Sequence, residues 1–231
     1  MRERCSAWRG ILGASLALAL LAVPAVPARG QELADFDYEN LRFRGFAPEW
    51  GYLWATRVEP TQSWGVRLDL GYLGPGVRIV PSVTYWSSTF KAGEVRELEE
   101  RVASLISTQI GEPPPAVDLG VIDWSDVALA VDAQLVWRVP YGVLTFAGVG
   151  GAAHMLDGSG TAVDGTFVED LLDSVTAGFN AHAGVEYPVA ERFRVYVQTR
   201  YEVMGDLRYT QMRLGGQIMI GAGAPGEERA R

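Results

Sequence analysis

The chain has 231 residues, 48% of them apolar and 21% charged, with a formal net charge of −8, 27 glycines and a single cysteine. That length suits one domain, and the composition excludes both a disordered chain and a bundle of membrane helices. The acidic balance offers nothing to nucleic acid, and one cysteine cannot build a disulfide framework or a Cys-based zinc site.

The amino terminus reads as an export signal over residues 1–28. Arg2, Arg4 and Arg9 form a positive start, residues 11–23 form an apolar run, and Val26-Pro27-Ala28 places small residues at a cleavage position. The apolar run is short for a membrane anchor, which needs about 20 residues. Cys5 falls inside this segment, so the exported chain carries no thiol nucleophile. No second helix-length apolar run follows. The exported protein is therefore either soluble or inserted as a barrel.

After an N-terminal segment, 29–48, the pattern becomes one of period two. Residues 49–58 place Trp50, Tyr52 and Trp54 on one face. Residues 63–73 separate Trp64, Val66, Leu68, Leu70 and Tyr72 from Gly65, Arg67, Asp69 and Gly71. A strand makes that separation automatically and a helix cannot. Gly74-Pro75-Gly76 turns into a strand with Val77, Ile79, Val83 and Tyr85 against Arg78, Ser82 and Thr84. Pro81 in its middle cannot donate to a ladder, which predicts a bulge or a missing bond there.

Residues 93–110 break the rhythm. Val95, Leu98, Val102, Leu105 and Ile106 form a helical stripe, with Glu94, Glu97, Glu99, Glu100 and Arg101 away from it. Packing onto the barrel rim is the simplest role for this helix. Strand pattern resumes over 126–139, with Val127, Leu129, Val131, Ala133, Leu135 and Trp137 opposite Asp132, Gln134 and Arg138. Residues 143–156 are glycine-rich and their facing is not assignable. A short helical turn is expected at 167–172. Three more strands follow, at 174–187, 193–203 and 209–221, and a polar tail, 222–231, is expected to be disordered.

Eight strands result, each close to the ~9–11 residues that cross a membrane when tilted. The tight turns at 74–76, 139–142 and 188–192 alternate with long connections at 91–122 and 157–173. Membrane barrels show this asymmetry, with short periplasmic turns and long outer loops. Alternation alone does not say which face is outside. Membrane placement is favoured because the polar face carries opposite charges and glycine, and because Lys91 is the only lysine. It is favoured also by aromatics near strand ends on the apolar face, namely Trp64, Tyr72, Tyr85, Trp137, Tyr187, Phe193 and Tyr201, a candidate girdle at the lipid–water boundary.

The pieces LGPGVRIVPSVTYW, NAHAGVEY, VQTRYEV and MRLGGQIMI, set in this strand–turn rhythm, resemble the small eight-stranded outer-membrane barrels, the OmpA-like and OmpW-like group. The resemblance spans nearly all of the exported chain. It departs at the end, where a polar tail follows the last strand in place of a terminal aromatic. It implies an all-β, eight-stranded antiparallel up-and-down transmembrane barrel over 49–221, with a helix in one long extracellular loop. It also implies the outer membrane of a Gram-negative-type bacterium as the location. Membrane lipid, lipopolysaccharide and the barrel assembly machinery are the implied partners of a monomer, with no cofactor.

The residues expected to line the lumen are Arg67, Asp69, Arg78, Asp132, Arg138, His182, Glu186, Arg194, Arg200, Glu202 and Arg213. An eight-stranded barrel is only wide enough for side chains to fill, so these charges are expected to pair with one another in preference to forming a selective constriction. His154, with Asp157 and Ser159 nearby in sequence, is the one conceivable catalytic group, and a capping or wall-facing role is favoured over it. The acidic loop of Asp157, Asp164, Glu169, Asp170 and Asp173 lacks the spacing of a calcium-binding EF-hand and reads as solvated. The expected role is non-enzymatic: structural, surface-interacting or minor transport. A channel for small solutes or hydrophobic ligands, and a lipid-modifying barrel enzyme, are the alternatives.

Overall fold

The alternation builds eight strands whose polar face turns toward a closed interior. The computed structural model describes residues 41–110, 116–205 and 207–220. Strands β1 (Leu41–Ala55), β2 (Thr61–Gly74) and β3 (Val77–Thr89) precede helix α1 (Ala92–Ile110). Then come β4 (Asp123–Arg138), β5 (Leu144–Ser159), the short helix α2 (Phe167–Leu172), β6 (Ser174–Ala190), β7 (Phe193–Met204) and β8 (Leu207–Met219). Each strand pairs antiparallel with its sequence neighbour, and β1 pairs with β8 to close the barrel. The strands run from 12 to 17 residues, longer than the membrane-spanning minimum.

Both ends of the strand series and the β2–β3, β4–β5 and β6–β7 turns lie at one end of the barrel, here called the turn end. The loops, including α1 and α2, lie at the other, the loop end. The expected signal at 1–28 and the tail at 222–231 fall outside the described residues. Of the segment 29–48, the described part is already strand. β1 begins at Leu41, eight residues before the expected start, because its early pairing with β2 shifts register between Leu41 and Gly45, which breaks the visible alternation.

The irregularity expected at Pro81 falls on the partner strand. Pro81 sits opposite Val131 in an unbroken β3–β4 ladder. Between Arg67 and Tyr72, β2 carries one residue more than the facing stretch of β3. Gly71 adopts φ +80°, and the Asp69 carboxylate accepts its backbone N–H at 2.8 Å. A glycine at positive φ with a local acceptor is what a bulge requires.

The loop end is closed by an apolar cap. Leu53, Trp86, Phe90, Trp124, Leu156 and Tyr209 from the upper lumen pack with Val95 and Val102 of α1 and with Val168 and Leu172 of α2. Leu98 and Ile106 join from the same stripe of α1. The helix therefore lies over the mouth as a lid on the barrel. Its start is held down by Lys91, whose Nζ donates to Ala55 O at 2.7 Å and Thr56 O at 2.8 Å, and by Arg57, paired with Glu94 at 2.8 Å. In the second loop, Asp164, Glu169 and Asp173 accept backbone N–H groups of Gly160, Gly165 and Gly158. These acids brace the loop.

Candidate functional site

Below the cap, the lumen holds arginines and carboxylates in equal number, with two histidines among them. Among the described residues, Arg44, Arg67, Arg78, Arg194, Arg200 and Arg213 are buried together with Glu49, Asp69, Asp126, Asp132, Glu186 and Glu202. A lone charge there would be strongly unfavourable, so the pairing decides whether the interior is tolerable.

Nearest the turn end, Glu186 gathers three guanidinium groups. Arg78 Nη1 reaches Oε2 at 3.0 Å, Arg67 Nη2 reaches the same oxygen at 3.3 Å, and Arg194 Nη1 reaches Oε1 at 3.0 Å. Arg78 also lies 3.6 Å from Asp69. Gln217 bridges Arg67 and Asp69, with bonds of 2.7 Å on each side. Arg67 stacks over Tyr196, its guanidinium carbon 3.3 Å from the ring centroid, and the Tyr196 hydroxyl donates to Glu49 at 2.6 Å. Glu49 in turn accepts from Arg213 at 3.2 Å.

Midway along the axis, Arg200 joins Asp132 at 2.8 Å and Glu202 at 2.6 Å. The two groups of charges are linked by a chain of donors running one way. Arg78 Nη2 donates to Gln134 Oε1 at 2.8 Å, Gln134 Nε2 to His182 Nε2 at 3.2 Å, His182 Nδ1 to Asn180 Oδ1 at 2.8 Å, and Asn180 Nδ2 to Asp132 Oδ1 at 3.0 Å. This ordering places the His182 proton on Nδ1.

At the base of the cap, His154 lies between two carboxylates. Its Nδ1 is 2.8 Å from Asp126 Oδ2 and its Nε2 is 3.5 Å from Glu202 Oε1. Trp86 Nε1 donates to the same Asp126 oxygen at 3.0 Å. His154, Asp126 and Glu202 are all 0% exposed. Asp157 and Ser159, its neighbours in sequence, are exposed, so the structure does not bring them to it.

The lumen also has a lopsided lining. β7 and β8 carry the bulky groups Tyr196, Gln198, Arg200, Gln211 and Arg213, while β4 and β5 supply Ala128, Ala130, Ala152, Gly148 and Gly150. Long side chains from one wall fill the room left by short ones on the other, as close packing requires. Gly215 belongs to the same logic: a methyl group there would run into the Tyr196 ring.

Of the residues predicted to line the lumen, Arg67, Asp69, Arg78, Asp132, His182, Glu186, Arg194, Arg200, Glu202 and Arg213 are buried inside the barrel. Arg138 is not. It is the last residue of β4 and is exposed at the turn-end rim, because the correct face of a strand guarantees a lumenal position only within the barrel's height. Of the candidate girdle, Trp64, Tyr85, Trp137, Tyr187, Phe193 and Tyr201 project from the outer wall. Tyr72 does not: the bulge at Gly71 reverses its facing, and it lies 9% exposed inside the barrel with Arg44 over its ring at 5.2 Å. Sequence reasoning passed over Glu49, Asp126 and Tyr196, and it expected His154 to cap a loop or face the wall, whereas the structure buries it in the lumen between Asp126 and Glu202. Tyr196 shares its parity with Arg194 and Gln198, so the alternation did carry that signal.

No protein-family model matches the chain, and no curated protein matches it in sequence. Solved structures do. Neisserial surface protein A superposes with a TM-score of 0.51 at 11% identity, covering 77% of this chain and 97% of that one. The fold is that of the small eight-stranded outer-membrane barrels. Two others of the same architecture align with lower scores. Ail of Yersinia pestis, solved with the heparin analogue sucrose octasulfate, gives 0.48 at 10% identity, over 77% of this chain and 97% of Ail. The N-terminal β-barrel domain of OprF from Pseudomonas aeruginosa gives 0.47 at 12% identity, over 76% of this chain and 97% of that domain.

Proposed function

We propose that this chain is a non-enzymatic outer-membrane barrel with a structural or surface-interaction role. Its turn end faces the periplasm and its capped loop end faces outward. The carrying observation is the inversion of the usual burial order. Val131, Leu135, Val149 and Phe179 stand 57%, 56%, 64% and 74% exposed on the outer wall, while six arginines and six carboxylates are sealed within. A barrel immersed in water gains from the opposite arrangement, and one immersed in hydrocarbon gains from this one. The aromatics Trp50, Trp64 and Tyr85 form a cross-strand row toward the loop end, and Trp137, Tyr187 and Phe193 lie toward the turn end, as interfacial rings on each side of an apolar band do.

The filled lumen and lidded mouth support a scaffold over a conduit. His154 is clasped by two acids with no hydroxyl or thiol among its hydrogen-bonding partners, which favours a structural role over nucleophilic catalysis. The test is fractionation with a heat-modifiability gel. Expressed with its native leader in a Gram-negative host, the protein is expected in the detergent-extracted outer-membrane fraction, with a mobility that changes only on boiling. Recovery as a detergent-free periplasmic protein would overturn the assignment.

A further inference from the structure

Two recesses meet at the loop end, beside the two-residue connection from Met204 to Leu207. The first, about 410 Å³, lies between α1 and the rim of β6, β7 and β8. Leu98, Val102 and Leu105 form its helix side, and Trp124, Met204 and Leu207 form its barrel side. The second, about 520 Å³, is polar and contains Glu94, Glu97 and Arg208. Arg57, Arg101 and Gly205 line both, so the two adjoin along these residues. Their volumes fall in the range of small-ligand sites.

The chemistry of the pair is that of an amphiphile. Along the stripe of α1, Val95 and Val102 are buried in the cap, but Leu105 stays 51% exposed at the apolar recess. In the polar recess, Arg57 is held by Glu94 at 2.8 Å and Arg101 by Glu97 at 3.2 Å. Among the described lining residues, the exposed Arg208 is the third arginine beside two carboxylates. Just outside the same rim, Val175 and Val203 carry the outer apolar band up to the level of Ser174 and Thr176, which line the first recess.

We propose that the joined recesses bind one long-chain carboxylate, its alkyl chain between α1 and the β7–β8 rim and its head toward Arg101 and Arg208. Three arginines against two carboxylates among the described lining residues suit one anionic head, and one apolar recess suits one chain. The site rests on the membrane-barrel reading, since the outer band is what brings such a chain to the rim.

The full chain, refolded into phosphatidylcholine nanodiscs, is titrated with a bromine-labelled long-chain fatty acid. Quenching of Trp124 is isolated by subtracting the Trp124→Phe signal. The expected result is saturable quenching, displaced by unlabelled dodecanoate, with the methyl ester of the same chain at least tenfold weaker. Leu105→Asp and Arg208→Glu, both at exposed positions, are each expected to weaken binding at least tenfold. Quenching that stays linear with probe, or that is equal for acid and ester, or that persists unaltered in both variants, overturns the site. A gel shift on boiling is recorded for every sample. A folded wild-type barrel without saturable binding removes this site alone, whereas a wild type with no gel shift removes the membrane reading beneath it.

Discussion

His182 donates from Nδ1 to Asn180 Oδ1, 2.8 Å away and two residues back on the same face of β6. This short step is the third of four links in the chain that joins the Arg78–Glu186 charges to the Arg200–Asp132 charges. His182→Leu leaves the Gln134 amide and the Asn180 carbonyl without partners in a sealed lumen. Each unmet buried group costs about 1–3 kcal/mol. Urea titration of the refolded barrel, followed by the fraction that shifts on a gel, is expected to show a clear loss. His182→Gln, which can both donate and accept, is expected to lose less.

Glu186→Gln should be more damaging. It removes the one carboxylate shared by Arg67, Arg78 and Arg194 and leaves three cations facing an amide. Breaking a buried pair in this way costs about 3–5 kcal/mol. The same urea titration checks it, and an unchanged midpoint would show that the three arginines do not depend on this group.

Gly215→Ala and Tyr196→Phe examine the stacked core from two sides. The first drives a methyl group into the Tyr196 ring, and overpacking of this kind costs about 1–3 kcal/mol. The second keeps the ring under Arg67 but leaves Glu49 without its hydroxyl donor. Combining Gly215→Ala with Tyr196→Ser, which makes room, is expected to recover part of the first loss but not the stacking. Thermal unfolding of these three variants, of Tyr196→Ser alone and of the wild type measures the coupling.

Val131→Arg separates a lipid-facing wall from a water-facing one. Val131 stands midway along β4 on the outer face. In a bilayer, arginine at mid-depth costs about 2–4 kcal/mol, whereas on a solvated surface it is nearly neutral. Folding yields into lipid vesicles, compared between the two proteins, decide the matter.

Planar-bilayer recordings of the wild type are expected to stay silent. The lumen is occupied by paired side chains and its loop end is covered by α1 and the cap. Regular single-channel openings would contradict a filled interior.

Most of the strands and their turns were readable from alternation, because a two-residue period has one geometric meaning once Arg67, Asp69 and their counterparts must share an interior. Five features were not. The reversal at Tyr72 depends on an extra residue in β2 relative to β3, which is a property of pairing and not of either strand alone. The exposure of Arg138 depends on height along the axis, to which facing is blind. The early part of β1 hides its pattern behind Gly45 and Pro48. The facing of β5 was unreadable for a related reason: Gly148, Gly150 and Gly151 bear no side chain to declare a side, and only the long groups opposite show which way they look. The apolar cap was missed because its members alternate in the same phase as the charges below them.

The interleaving of Arg67 and Asp69 among Trp64, Val66, Leu68 and Leu70 in β2 has a consequence for the unfolded thread. Coiled as a helix, that segment would hold charged groups amid its greasy ones, at about 2.5–3.5 kcal/mol for each one at mid-membrane. None of the described helices is long and apolar enough to span. Among the described residues, a bilayer met en route therefore has no helix to retain. In the proposed membrane barrel, the outer apolar face is complete only at ring closure, when the first strand meets the last.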